Sequence, residues 1–90
     1  MANAPSKVQD AQQKMTSVSE QSTEAQDSVQ QWIAHLEAEK ERLLAMLDGS
    51  HQDDVAALIA LIDTMLERLR KADAALGEMA ETAAQIETTL

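Results

Sequence analysis

Three features of this sequence predict an all-α fold made of two long antiparallel helices. Helix breakers are scarce, because the 90 residues include one Pro and two Gly. Residues that favour helices, such as Ala, Leu, Glu and Gln, are abundant, and the few Val show no strand-like alternation. Apolar residues also recur at alternating steps of three and four in both halves of the chain, which is typical of amphipathic helices.

A turn is predicted in the middle of the chain, at Asp48, Gly49 and Ser50. Gly49 stands where a left-handed residue closes a helix without a Cβ clash. Ser50, followed by Asp53 three residues later, resembles the capping box that opens a new helix. The sequence therefore predicts that the chain reverses direction at Gly49.

The turn fixes the expected limits of the two helices. We expect disordered residues 1–5, helix 1 over about 6–48 and helix 2 over about 51–90, so that 6–90 is a single helical hairpin. Folding about Gly49 pairs residues whose numbers sum to about 98. Gly77 falls inside helix 2 and outside the predicted seam, where it marks either a bend or the close approach of a partner.

The seam between the helices is predicted from the heptad pattern, with apolar residues at its a and d positions. Near Glu39 we expect the seam to rotate so that Ile33, the Lys40 stem and Leu47 share it. The predicted core anchors are Trp32, Leu36, Leu43, Ile62 and Leu69.

A second apolar row lies beside this seam in the half near the turn. Two helices cover only a narrow seam, so this row needs another hairpin or a partner. We expect a homodimer that forms a four-helix bundle. Replacing Ile59 and Leu66 with Glu is then expected to give a helical monomer. The predicted interaction face is Ile33, Leu44, Leu47, Ile59 and Leu66.

The charge of the chain narrows the classes of partner. A net charge of -9 and a pI near 4.4 disfavour binding to nucleic acid or to an anionic membrane surface. Arg68, Arg70 and Lys71 form the only basic cluster, and antiparallel pairing predicts that Glu24 and Asp27 neutralise it. The absence of Cys excludes disulfides and thiolate metal sites.

No catalytic or metal-binding motif emerges from the sequence. His35 and Glu39 have the spacing of two ligands on one helix face, but two ligands are too few for a metal site. His51 is expected to be a solvated residue at the start of helix 2. A hairpin also lacks the dry pocket that a catalytic carboxylate pair requires. We therefore predict a protein that is not an enzyme and has no cofactor.

No apolar run of 18 residues is present, so no membrane insertion is predicted. The N-terminal residues contain no hydrophobic segment of a signal peptide. The expected location is the cytoplasm, or the outside of the cell after export by a route that needs no signal peptide.

A chain of this length, folded as two long helices about Gly49, resembles the small Trp-X-Gly hairpin family exported by type VII secretion systems. The resemblance covers nearly the whole chain and matches Gly49 as a turn glycine. In that family the Trp also lies in the turn and a C-terminal Tyr serves in export, whereas Trp32 lies before the turn and this chain has no Tyr. The resemblance implies export and a helical partner. The richness in Ala, Glu, Gln and Ser is typical of a high-GC bacterial or phage origin.

The leading functional interpretation is a helical-hairpin protein that acts through protein–protein interaction and self-association. One alternative is an exported hairpin of the type VII class that works with a partner. Another is a small secretion chaperone or phage assembly factor that covers the amphipathic helix of a second protein.

Overall fold

The computed structural model describes residues 3–46 and 52–90 of the 90-residue chain. Within these ranges the side chains are described from 7 to 46 and from 53 to 90. The statements that follow concern these residues. The predicted turn residues Asp48, Gly49 and Ser50 lie outside the described part of the chain, as do Leu47 and His51.

Two long helices account for nearly all of the described residues. Helix α1 spans Asn3–Ala45 and helix α2 spans Gln52–Thr89. No strand occurs in the part of the chain that the structure describes. The prediction of an all-α fold with two long helices is confirmed.

The first helix starts earlier and ends sooner than predicted. It begins at Asn3, inside the segment 1–5 that we expected to be disordered, and Pro5 lies in its first turn. Proline interrupts no hydrogen bond there, because the first N–H groups of a helix have no acceptor within it. At the other end the Met46 backbone N–H donates to the Leu43 carbonyl oxygen at 3.0 Å, which tightens the last turn.

The hairpin divides into two compact units. Unit 1 combines Met1–Asp27 with Ala74–Leu90, and unit 2 is Ser28–Asp73. In unit 2 the side chains of Gln30 and Asp73 are hydrogen-bonded at 3.1 Å, and those of Lys40 and Asp63 form an ion pair at 2.6 Å. The partner number falls on α2 as the residue number rises on α1, so the two helices of unit 2 are antiparallel.

The contacts occur at a slightly different register from the predicted sum of 98. The numbers of Lys40 and Asp63 sum to 103, and those of Ser19 and Ala80, which are hydrogen-bonded in unit 1, sum to 99. Side chains of a helix lean toward its N-terminus, so contacts in an antiparallel pair shift to higher numbers on both helices. The long Lys40 side chain produces a larger shift than the short Ser19 side chain.

Candidate functional site

The seam of unit 2 is the row of side chains that α1 and α2 bury against each other. Leu66 is its most buried member, with 2% of its surface exposed, and Val55 is buried as well. Ion pairs across the helices lie beside this row and leave its centre apolar. The partly buried members of the row are Val29, Ile33, Leu36, Lys40, Leu43, Ile59, Ile62 and Leu69.

Two predicted roles are reversed by this seam. Trp32, which we predicted as a core anchor, is 59% exposed, and Leu66, which we predicted on the outer interaction face, is the most buried residue. The other four anchor residues, Leu36, Leu43, Ile62 and Leu69, are partly buried in the seam, together with Ile33 and Ile59. One residue corresponds to about 100° of helix rotation, so Trp32, one residue before Ile33, lies at the flank of the seam.

The charges of Glu39 and Lys40 explain why the seam takes the later row. The predicted row would bury the Glu39 carboxylate, and burying an unpaired charge is unfavourable. In the structure Glu39 remains at the flank and accepts a hydrogen bond from Arg42 at 2.7 Å. Lys40 enters the seam instead, because its apolar stem packs there while its Nζ reaches Asp63.

The other members of the predicted interaction face lie in different environments. Ile33 and Ile59 are partly buried in the seam, and Leu44 is 46% exposed on its far flank. Of the described members of this face, only Leu44 keeps a largely exposed side chain. The larger uncovered apolar surface of unit 2 lies on the other flank of the seam, opposite Leu44.

That opposite flank carries a stripe that we call the Trp32 face, defined as Trp32, Leu58, Leu61 and Met65. Leu58 and Met65 are each 49% exposed, and Leu61 is 62% exposed. The three residues of α2 follow steps of three and four and thus lie on one side of that helix. Met46, which is also exposed, lies two heptads after Trp32, just beyond the end of α1.

An open groove of about 350 Å³ joins the two helices at the Trp32 face. Its walls are Trp32, Leu36, Met65, Arg68 and Leu69, and Arg68 brings the only charge among them. Four of its five lining residues are large and apolar, which is typical of sites that hold apolar groups.

Trp32 is held in place by a neighbour on its own helix. The rings of Trp32 and His35 meet edge to face, with centroids 5.8 Å apart and planes at 86°. This is a preferred geometry for aromatic rings, and it restricts the indole to the side of α1 that bears the Trp32 face. The exposed position of Trp32 is thus locally stabilised.

The other flank of unit 2 is a charged face. The Arg70 guanidinium donates to the Glu37 carboxylate at 2.7 Å, and Lys40 and Asp63 pair across the helices beside it. Leu44 and Leu66 are the apolar members of the groove that these residues line. The charged side chains of this flank therefore already pair across the helices. The Trp32 face consists of apolar side chains that remain exposed.

Two members of the basic cluster pair with residues other than those predicted. Arg70 pairs with Glu37, and Lys71 pairs with Glu67 at 3.4 Å. We had expected Glu24 and Asp27 to take this role. Glu37 lies on α1 at a higher residue number than the predicted register gives, whereas Glu67 lies one turn before Lys71 on α2 itself.

Unit 1 brings its helices together through small and polar residues. Ser22 and Ala83 are its buried residues, and the Ser19 hydroxyl donates to the Ala80 carbonyl oxygen on α2 at 3.3 Å. A Cβ placed on Gly77 would lie 3.2 Å from Nε2 of Gln26. Gly77 therefore marks a close approach within the chain itself. The exposed large apolar residues of unit 1 are Val8, Met79, Ile86 and Leu90.

Metal-binding and membrane-spanning features are not found in the described ranges. No group of three or more His, Asp or Glu side chains there is arranged to hold a metal ion. Neither described helix contains a stretch apolar enough to cross a bilayer. Comparisons with models of known protein families, with characterised proteins and with solved structures found no match for this chain.

Proposed function

We propose that the protein is a non-enzymatic helical hairpin that acts through protein–protein interaction, and that the Trp32 face is its contact surface. The observation that carries the proposal is the exposure of Trp32, Leu58, Leu61 and Met65 on one flank of unit 2. Contiguous exposed apolar side chains mark interaction sites on soluble proteins. Trp is also the residue type most enriched where interfaces concentrate their binding energy.

The energetic contrast between the two flanks supports this choice. Burying a whole Leu or Met side chain is worth roughly 1.5–3 kcal/mol, so covering the exposed half of each of four side chains contributes about 3 kcal/mol or more. Surface ion pairs such as Lys40–Asp63 contribute about 0–1 kcal/mol each, and they are already formed. A partner that covers the Trp32 face would therefore gain more binding free energy than one that covers the charged face.

Oxidative footprinting inside the cells that produce the protein tests the proposal. Trp32 and Met65 are both sensitive to oxidation, so a bound partner should slow their modification. We expect both to be oxidised at least several-fold more slowly in cells than in a dilute sample of the purified chain. Mass spectrometry of the recovered protein gives the two rates.

A matched pair of variants serves as the control. Leu58→Glu places a charge on the Trp32 face and should restore the fast oxidation of Trp32 in cells. Leu44→Glu places the same charge on the charged face, at a Leu of similar exposure, and should leave the protection intact. Equal oxidation rates for the wild-type protein in cells and in dilute solution would contradict the proposed function.

A second candidate function is that of an exported hairpin of the type VII class, or of a small secretion chaperone or phage assembly factor. Two helices of similar length, 43 and 38 residues, support it because such proteins pair hairpin with hairpin. Its location would be the cytoplasm, or the exterior after export without a signal peptide. Co-expression with the proteins of neighbouring genes tests it, and a protein that never appears in the culture medium would contradict export.

A further inference from the structure

We infer that unit 1 opens and closes as a cooperative unit while unit 2 stays paired, and that ionic strength sets how often unit 1 opens. Unit 1 consists of an arm of α1 that ends at Asp27 and an arm of α2 that begins at Ala74. This opening is independent of the Trp32 face and of the function proposed for it. Two features of unit 1 favour it: the side chains that pack between the arms, and the charge that the arms carry.

The side chains between the arms of unit 1 bury little apolar surface. The two buried residues are Ser22 and Ala83, a hydroxyl group and a single methyl group. The partly buried positions of the α1 arm are mostly small or polar, and they include Gln12 and Ser19. Large apolar side chains are partly buried at three positions of the described arms, which are Met15, Val18 and Leu76.

The seam of unit 2 holds its two helices together more strongly. Nine large apolar side chains are buried or partly buried there, and the ion pairs Lys40–Asp63 and Glu37–Arg70 join the helices beside them. Burial of apolar surface is the main favourable contribution to folding, so the arms of unit 1 part at a lower free energy than the helices of unit 2. Parted arms also lose helix, because packing of an amphipathic face supplies most of the stability of a helix in water.

The two arms are expected to part together along their length. The Ser19 hydroxyl bonds to the Ala80 carbonyl oxygen, and Gln26 lies against Gly77 two helical turns away. Because unit 1 consists of these two arms alone, neither arm keeps a packing partner within the unit once they separate. The backbone amides of both arms should therefore become exchangeable in one event, and not one residue at a time from the chain ends.

The charge of unit 1 also favours opening. Residues 74–90 contain three Glu and no Lys, Arg or His, so this arm offers no cation to the acidic groups of the other. Residues 7–27 contain four acidic side chains and two Lys, and Lys14 pairs with Asp10 on α1 itself at 3.0 Å. Added salt screens the repulsion between the arms and should close unit 1, whereas in unit 2 it weakens attractive ion pairs.

Hydrogen exchange of the full-length protein, resolved by NMR, tests the opening. The informative amides are those of 17–26 and 76–84 in unit 1, and those of 30–39 and 59–68 in unit 2. Each of these ranges lies five or more residues inside a helix. We expect both unit 1 ranges to share one protection factor, at least about tenfold lower than that of unit 2.

The same measurement at two salt concentrations tests the role of charge. Raising NaCl from about 0.02 M to about 0.3 M should increase protection in unit 1 by about threefold or more. Protection in unit 2 should not increase by more than about twofold, because salt also weakens the ion pairs that join its helices. Equal responses of the two units would overturn the control of opening by ionic strength.

Gln12→Leu and Gln13→Leu form a matched pair of variants, because Gln12 is partly buried between the arms and Gln13 is exposed. Gln12→Leu replaces an amide with an apolar group of similar size, so protection of both unit 1 ranges should rise by about threefold or more. Gln13→Leu should change it by less than about twofold. Protection in unit 2 should be the same in both variants as in the natural chain.

Three results would overturn the inference. Equal protection of the two units at low salt would mean that the hairpin opens only as a whole. Protection in unit 1 that rises steadily with distance from the chain ends would mean that the helices fray without a cooperative opening. A larger effect of Gln13→Leu than of Gln12→Leu would mean that the packing between the arms does not control it. A shared, lower protection in unit 1 that rises with salt and with Gln12→Leu supports the inference.

Discussion

The two units bury different kinds of side chain although both follow steps of three and four. Unit 2 buries Val55 and Leu66, whereas unit 1 buries Ser22 and Ala83. The buried side chains of unit 2 are large and those of unit 1 are small, and in unit 1 the Ser19 hydroxyl reaches the backbone of α2. The same helical pattern therefore leads to two ways of packing. A substitution that changes side-chain volume should affect stability differently in the two units.

The largest effect is expected from removing the central side chain of unit 2. Leu66→Ala should lower the free energy of unfolding by about 2–5 kcal/mol, because it leaves a cavity at a site that is only 2% exposed. Thermal melts followed by circular dichroism measure this loss. Met65→Ala, at the exposed neighbour, is the control and should cost about 1 kcal/mol or less. Equal losses at the two positions would contradict the seam described for unit 2.

In unit 1 the corresponding test replaces a small buried side chain with a larger one. Ala83→Leu should lower the free energy of unfolding by about 1–3 kcal/mol, because Ala83 is only 3% exposed and the side chains packed on it must shift to admit a larger one. Ala74→Leu adds the same atoms at an exposed position of unit 1 and should change stability by about 0.5 kcal/mol or less. Chemical denaturation of both variants gives the comparison. A stabilised Ala83→Leu variant would show that the helices of unit 1 are not closely packed.

A smaller effect, of opposite sign, is expected at Gly77. Gly77→Ala should raise the free energy of unfolding by about 0.5–1 kcal/mol, because Ala favours the interior of a helix over Gly. The new methyl group would meet only the flexible end of the Gln26 side chain, which can move aside. A lower melting temperature for this variant would mean that Gln26 is held more firmly than its flexible chain suggests.

The smallest effect is expected at the ion pair of Lys40 and Asp63 in unit 2. A double-mutant cycle with Lys40→Ala and Asp63→Ala should give a coupling free energy of about 0.5 kcal/mol, because both groups are substantially exposed. The coupling should fall further at high salt. A coupling above about 2 kcal/mol would mean that this ion pair contributes as much to unit 2 as its apolar seam does.

The all-α fold could be predicted from the sequence, because helix formers, scarce breakers and the apolar spacing all favour the same structure. Which apolar row of each helix forms the seam of unit 2 could not be predicted from the sequence. Two adjacent apolar rows compete there, one through Trp32 and Met65 and the other through Ile33 and Leu66, and both satisfy the heptad pattern. Near Glu39 the sequence indicates that the Glu39 and Lys40 charges favour the row through Ile33. In the structure the seam follows this row as far as Leu66.

The candidate site depended on that choice of row. Because the seam takes Ile33 and Leu66 in place of Trp32 and Met65, Leu66 belongs to the interior and Trp32 to the surface. Helical periodicity alone does not determine which of two apolar rows two helices will share. In unit 1 the small residues give an even weaker preference, and the role of Gly77 became visible only through its neighbour Gln26.

The central claim is that Leu66 is inside the seam of unit 2 and Met65 outside it, and thiol reactivity tests this most directly. The natural chain has no Cys, so Met65→Cys and Leu66→Cys each introduce a single thiol. At a concentration where light scattering reports a monomer, the Met65→Cys variant should react with a thiol reagent at least tenfold faster than the Leu66→Cys variant. Fast reaction of Leu66→Cys and protection of Met65→Cys would contradict the account.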